Sequence, residues 1–168
     1  MNEMCYFSLT LFKINISMSQ QELLNLSVSQ VMTTELFIVK TDSLVKEVHD
    51  IFMRENIHHI PVIDDNGHLK GIISKTDIYL LLDWGTRLNI PSSIQKNNFL
   101  LTSNVAKDIM TTHIVSVKPE DSVMKCIQLF RENYFRALPV IDDVGRLCGM
   151  VTTYDLMIKA YTTIPEIS

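Results

Sequence analysis

His58-His59-Ile60-Pro61-Val62-Ile63-Asp64-Asp65-Asn66-Gly67-His68-Leu69-Lys70-Gly71-Ile72-Ile73-Ser74-Lys75-Thr76-Asp77 returns later in the same chain as Arg136-Ala137-Leu138-Pro139-Val140-Ile141-Asp142-Asp143-Val144-Gly145-Arg146-Leu147-Cys148-Gly149-Met150-Val151-Thr152-Thr153-Tyr154-Asp155. The offsets 139 − 61 and 155 − 77 are both 78, so the copies align without a gap. Upstream, Val31-Met32-Thr33-Thr34 matches Ile109-Met110-Thr111-Thr112 at the same offset, which marks where the duplicated unit begins.

Each copy has the same succession of periods. Leu36 to Val39 and Ile114 to Val117 are short strand-like runs. Val45, Val48 and Phe52 follow Ser43, and Val123, Cys126 and Phe130 follow Asp121, the three-then-four spacing of an amphipathic helix behind a cap. Cys126 takes the column of Val48, so it reads as a small packed side chain and not as a reactive thiol. Ile60 to Ile63 and Leu138 to Ile141 read as buried strands, with Leu69 to Ile73 and Leu147 to Val151 as their partners. Asn66-Gly67 signals a two-residue hairpin turn in which both central residues take positive φ. Gly71 and Gly149 interrupt the return strands at matched positions, which implies a bulge or a close approach by something else, a ligand included. Helical runs Ile78 to Leu82 and Leu156 to Ala160 close the units. The expected unit is β-α-β-β-α. Roughly a third of its columns are identical between copies. At about fifty residues it buries too little apolar area to stand alone, so the halves are expected to pack on each other as a pseudo-symmetric pair.

The 168 residues, 46% hydrophobic, suffice for one sizeable core. A net charge of −4 and a pI near 5.7 argue against a nucleic-acid partner. Cys5, Cys126 and Cys148 are odd in number and lack metal-site spacing. His49, His68 and His113 also show no ligand spacing, so no metal is expected. The apolar run Phe7 to Ile16 has no basic cluster ahead of it and is interrupted by Lys13, so it fails as a signal peptide. No stretch reaches the roughly 20 apolar residues of a membrane span, and a cytoplasmic location is expected. Residues 1–18 form an extension without a counterpart in the repeat: a flexible arm, an extra strand, or sequence upstream of a start at Met18. The first repeat covers 19–82, including a short lead-in helix within Ser19 to Val31. A connector covers 83–104, the second repeat 105–162, and a tail 163–168. Trp84, Gly85, Pro91, serines and asparagines give the connector loop chemistry, with Trp84 as a packing anchor.

Ser74-x-x-Asp77 and Thr152-x-x-Asp155 match a capping box, which many helices carry without further purpose. Here, though, each follows a glycine-containing strand and opens a helix. Free amides and the positive end of the helix dipole would then face the hydroxyl and could take a phosphate, while the acid could accept from a ribose.

Over nearly all of Val31 to Ala160 the sequence resembles the paired CBS domains, or Bateman modules. The resemblance rests on a hydrophobic residue, Pro, Val, a hydrophobic residue and Asp, then a glycine turn and Gly-x-x-[Ser/Thr]-x-x-Asp, twice in order. It implies an α+β (mixed α/β) fold in which two pseudo-symmetric β-α-β-β-α repeats pack through their sheets and leave two clefts for adenosine-containing ligands. AMP, ADP, ATP, S-adenosylmethionine and NAD are the candidate regulatory ligands, none obligatory. By the resemblance, Asp77 and Asp155 would hold ribose hydroxyls and Ser74 and Thr152 would approach phosphate. Ile60-Pro61 and Leu138-Pro139 would line the adenine slot. His58 and His59 in one copy, and Arg136 and Ala137 in the other, would face phosphates. The alternative for His58, His59 and Arg136 is a half-exposed strand edge without a ligand.

The expected function is a non-catalytic sensor, and no paired nucleophile and base suggests an enzyme. A ligand-free dimerisation or docking scaffold is the alternative. The resemblance and the apolar Leu80, Leu81, Leu82, Met157 and Ile158 imply a homodimer, with an effector protein acting in trans.

Overall fold

The computed structural model describes residues 20–82, 90–133 and 135–161. The extension, Cys5, Trp84 and the tail lie outside them. The lead-in is a short α1 (Gln20–Asn25) followed by a 3-10 turn, Val28–Gln30. The first repeat then runs β1 (Val39–Lys40), α2 (Val45–Arg54), β2 (His59–Ile63), β3 (Leu69–Ser74) and α3 (Lys75–Leu81). After α4 (Pro91–Ser103) and α5 (Ala106–Ile109), the second repeat supplies α6 (Val123–Asn133), β4 (Ala137–Ile141), β5 (Leu147–Thr152) and α7 (Thr153–Tyr161). β1 is parallel to β2, and β2 is antiparallel to β3. In the second half β4 and β5 pair the same way, and Val117 alone bridges Val140 in parallel. The strand expected over Ile114 to Val117 thus shrinks to one residue.

Three local expectations are corrected. The hairpin loop is not the two residues Asn66-Gly67. Gly67 N donates to the Asp64 carbonyl at 3.0 Å, Asp64 N to the His68 carbonyl at 3.0 Å, and Gly67 has φ +82°. That is a three-residue loop ending in a left-handed glycine, which explains why Val144 is tolerated in the Asn66 column while Gly145, at φ +84°, is kept. Ser43 does not cap α2: its hydroxyl accepts from Lys40 N, and the cap position falls on Leu44. In the second copy Ser122, not Asp121, accepts from the amide of Lys125 at 3.3 Å. Finally, a bulge does sit beside each glycine, at Lys70 and Cys148, but the close approach at the glycines is made by protein. A Cβ on Gly149 would lie 2.9 Å from the Thr33 carbonyl oxygen, and one on Gly71 would lie 2.6 Å from Met110 Cγ.

Those approaches reveal an interlock. Thr33 N donates to the Met150 carbonyl at 2.8 Å and Met150 N to the Thr33 carbonyl at 2.9 Å, so the start of repeat one makes a one-residue antiparallel bridge to β5 of repeat two. Thr111 and Ile72 exchange the same bonds at 2.9 and 3.1 Å. The antiparallel bridges Leu44 to Val105 and Ser27 to Ser122 are likewise related by the 78-residue offset, and His68 bridges Arg146, its own counterpart. The halves are therefore joined by hydrogen-bonded chain about a pseudo-two-fold axis.

The cores follow the exchange. Val28 is fully buried among Val123, Cys126, Leu138 and Val151 of the second half, with Leu23, Leu26 and Met32 packed beside it. Leu101 and Ala106 lie in the first core with Val48, Phe52, Ile60 and Ile73. The connector expected to be loop is in good part the helix α4, opened by Pro91, whose fixed φ suits a first helical turn. Its buried positions are Ser93, Asn97 and Leu101, four apart, while Phe99 is 67% exposed.

Candidate functional site

Both hydroxyl–acid pairs close as capping boxes. Asp77 Oδ2 accepts from Ser74 N and Ser74 Oγ, each at 2.7 Å, and Asp77 N donates back to Ser74 Oγ at 3.3 Å. Asp155 Oδ2 accepts from Thr152 N and Oγ1 at 2.7 Å, and its amide returns to Thr152 Oγ1 at 3.1 Å. The free amides expected at these helix starts are largely engaged. Lys75 N donates to the His58 carbonyl at 2.9 Å and Thr153 N to the Arg136 carbonyl at 3.3 Å. What each cleft offers is a fixed carboxylate oriented by its own helix start.

The interlock brings in a residue that the sequence reading did not assign. Thr33 Oγ1 donates to the other Asp155 oxygen, Oδ1, at 3.3 Å. Asp155 thus faces chain from both repeats. It also lines a cavity of about 370 Å³ together with Gln30, Val31, Met32, Tyr154, Ile158 and Lys159. A smaller cavity of about 170 Å³ lies between Thr34, Leu36 and Ile38 on one side and Leu147 and Cys148 on the other. The signal that could have found Thr33 was visible: Met-Thr-Thr is identical in both copies.

The other predicted residues divide by strand alternation. Ile60 and Leu138 have no exposed surface and stand in the two cores, so they do not line a ligand slot as expected. His59 and Pro61 lie on the opposite face of β2, and His59 pairs directly across from Ser74. Ala137 pairs across from Thr152, with buried Pro139 two residues on. His58 and Arg136 are exposed just ahead of the strands.

Electrostatics gathers part of this set. Burial, the neighbouring His58 and the Arg136 charge hold the His59 imidazole below its ordinary pKa, against the opposing pull of Asp77. His58, His59 and Asp77 of one repeat and Arg136 of the other therefore act on one locality. Cys126 is in the second core, where burial pushes its thiol up to about 11, as befits a packed and unreactive group.

Two interlocked repeats, each following its hairpin with an oriented hydroxyl–carboxylate pair, define a duplicated α+β module with a cavity beside Asp155. The chain belongs to the CBS domain family, which matches residues 28–83 and 106–161. A CBS domain-containing protein of Dictyostelium discoideum is 31% identical over 141 residues, 82% of this chain and 95% of that protein. Homoserine O-acetyltransferase of Methanosalsum zhilinae is 25% identical over 127 residues, 76% of this chain but only 22% of the enzyme. CBSX2 from Arabidopsis thaliana superposes with a TM-score of 0.69 at 29% identity, covering 82% of this chain and 96% of that one. CBSX2 in complex with AMP gives 0.67 at 28% identity over 81% and 96%. The cytosolic domain of the Mg2+ channel MgtE in complex with ATP gives 0.61 at 27% identity, over 78% of this chain and 47% of that one. Among the described residues no helix is long and apolar enough to cross a membrane.

Proposed function

We propose that the chain is a non-catalytic regulatory module that binds an adenosine-containing ligand in one or both clefts and signals through the packing of its halves. The observation that carries this reading is Asp155, held by Thr152 of its own repeat and approached by Thr33 of the other beside an open cavity. Asp155 and Asp77 hold the ribose hydroxyls, Thr152 and Ser74 turn toward phosphate, and Arg136, His58 and His59 supply cationic donors. Pro61 and Pro139 present the apolar faces nearest the base. CBSX2 with AMP and the MgtE domain with ATP support the ligand class.

The partner that fits the outer surface is a second copy. Tyr79 and Leu80 on α3 are exposed, and their counterparts at the 78-residue offset, Met157 and Ile158 on α7, are exposed too. The patch is itself pseudo-symmetric, which suits a two-fold contact. Leu81 and Leu82 take no part, since both pack against the first core. An effector protein reads the change in trans.

The closed capping boxes favour one other reading, a ligand-free scaffold in which these motifs only start helices. A thermal-shift series with AMP, ADP, ATP, S-adenosylmethionine and NAD separates the two. A ligand at 100 times its Kd stabilises by about 2.7 kcal/mol. No shift with any of the five favours the scaffold.

A further inference from the structure

The two clefts carry different cations at matched positions. Where the second repeat has Arg136-Ala137, the first has His58-His59. His59 is half-buried on β2, its partner across the sheet is Ser74, and the Ser74 hydroxyl donates to Asp77 at 2.7 Å. The charged and titratable groups acting on His59 are its neighbour His58, Asp77 from α3 and Arg136 from the edge of the opposite half. Lys40 of β1 lies at the far end of the strand, beside Ile63, and is engaged by Asp65.

We propose that His59 makes the Asp77 cleft a proton-gated selector that takes up a proton when a phosphorylated adenosyl ligand binds and none when an uncharged nucleoside binds. This rests on the adenosyl reading above. The neutral imidazole is the resting form, because partial burial, the neighbouring His58 and the Arg136 charge oppose protonation and only Asp77 favours it. Burial accordingly holds the group below its ordinary value near 6.5. A phosphate bound beside His59 reverses the balance: its negative charge offsets the repulsion from Arg136, and it accepts a charge-assisted hydrogen bond from the imidazolium. The bound pKa then lies above the free one. In the window between them binding consumes a proton, and affinity for the phosphorylated ligand rises as pH falls, by at most about tenfold per pH unit. A neutral nucleoside supplies no anion and leaves His59 unprotonated. Lowering pH therefore shifts this cleft from uncharged toward phosphorylated ligands.

The test is calorimetric titration of the full chain with AMP and with adenosine, from about pH 5.5 to 8, in two buffers of different ionisation enthalpy. We expect AMP to bind with net proton uptake near neutrality and adenosine to bind without it, a comparison that needs no variant. His59→Gln removes the His59 part of the uptake and leaves the titration of the AMP phosphate, whose second pKa is about 6, together with any part from His58. Equal proton uptake for AMP in the native protein and His59→Gln overturns the selector while leaving the adenosyl site standing. Failure of both AMP and adenosine to bind at any pH overturns the selector, and the adenosyl reading falls with it only if ADP, ATP, S-adenosylmethionine and NAD also give no thermal shift.

Discussion

Gly149→Ala tests the interlock at its tightest point. The added methyl would lie 2.8 Å from Met32 Sδ and 2.9 Å from the Thr33 carbonyl oxygen. Methionine can turn aside, but the carbonyl cannot without moving the lead-in. That carbonyl accepts from Met150 N at 2.9 Å, and Thr33 N returns to the Met150 carbonyl at 2.8 Å. Two routes relieve the clash. Straining the packed sheet costs about 1 to 3 kcal/mol, and releasing the two bonds costs about 0.5 to 1.5 kcal/mol each. Whichever is cheaper, the loss is about 1 to 3 kcal/mol, and at about 2 to 4 °C per kcal/mol the melting temperature falls by about 2 to 12 °C. Urea and thermal unfolding measure it. A double-mutant cycle identifies the cause. Met32→Ala should rescue Gly149→Ala little, because the carbonyl contact persists, whereas Met110→Ala should partly rescue Gly71→Ala, whose nearest contacts belong to that side chain. Stability of Gly149→Ala within about 0.5 kcal/mol of native, or full rescue by Met32→Ala, would refute this account.

Asp155→Ala and Asp77→Ala should each lose a capping box, about 0.5 to 2 kcal/mol in denaturant unfolding, because the boxes are closed without ligand. If the acids also hold ribose, calorimetry should show binding weakened tenfold or more at the altered cleft, from the loss of about 1.5 to 3 kcal/mol of charge-assisted hydrogen bonding. Gly145→Ala, at φ +84°, should destabilise by about 1 to 2 kcal/mol. Leu101→Ala should cost about 2 kcal/mol or more in the same unfolding assay, since Leu101 belongs to the first core. A change near zero would place α4 outside that core.

The parts of the fold legible in the sequence were those whose signals are local. The 3.6-residue stripe of Val45, Val48 and Phe52 and the paired strand runs each appear within a few residues, and the duplication shows as short motifs repeated 78 residues on. The helix α4 escaped because its buried stripe begins with Ser93 and Asn97 while Phe99 faces out, so its hydrophobic pattern is nearly inverted. The exchange of lead-ins escaped for a different reason. Val28 and Ala106 are apolar whichever core receives them, and a repeat packed on its own lead-in would show the same pattern. Of the site, both acids and their hydroxyls were readable because they sit in one short motif. Thr33 stands in a repeated Met-Thr-Thr motif, but its pairing with Asp155, 122 residues away, has no local signal.

The interlock also bears on how a bound ligand could be felt at a distance. Asp155 divides its two oxygens between the start of its own helix and Thr33 from the other repeat. A ligand that claims Oδ1 must share or displace the Thr33 hydroxyl, and that residue makes the bridge tying the halves together at Met150. A ligand shifts a conformational equilibrium only by its difference in affinity for the two states. One exchanged hydrogen bond of about 1 kcal/mol sets the scale of that difference, about fivefold in population. Asp77 is built differently: among the described residues, Thr111, the counterpart of Thr33, makes no such bond to it. On the adenosyl reading, a ligand at Asp77 would have less of the interlock to act on, so the two sites would differ in signal as well as in charge. Thr33→Val, which removes the hydroxyl and keeps the bridge, isolates the effect. It should reduce the conformational response to a ligand in the Asp155 cleft, followed by hydrogen exchange at Met150, without altering the response from Asp77. An unchanged response in Thr33→Val would show that the signal travels by another route.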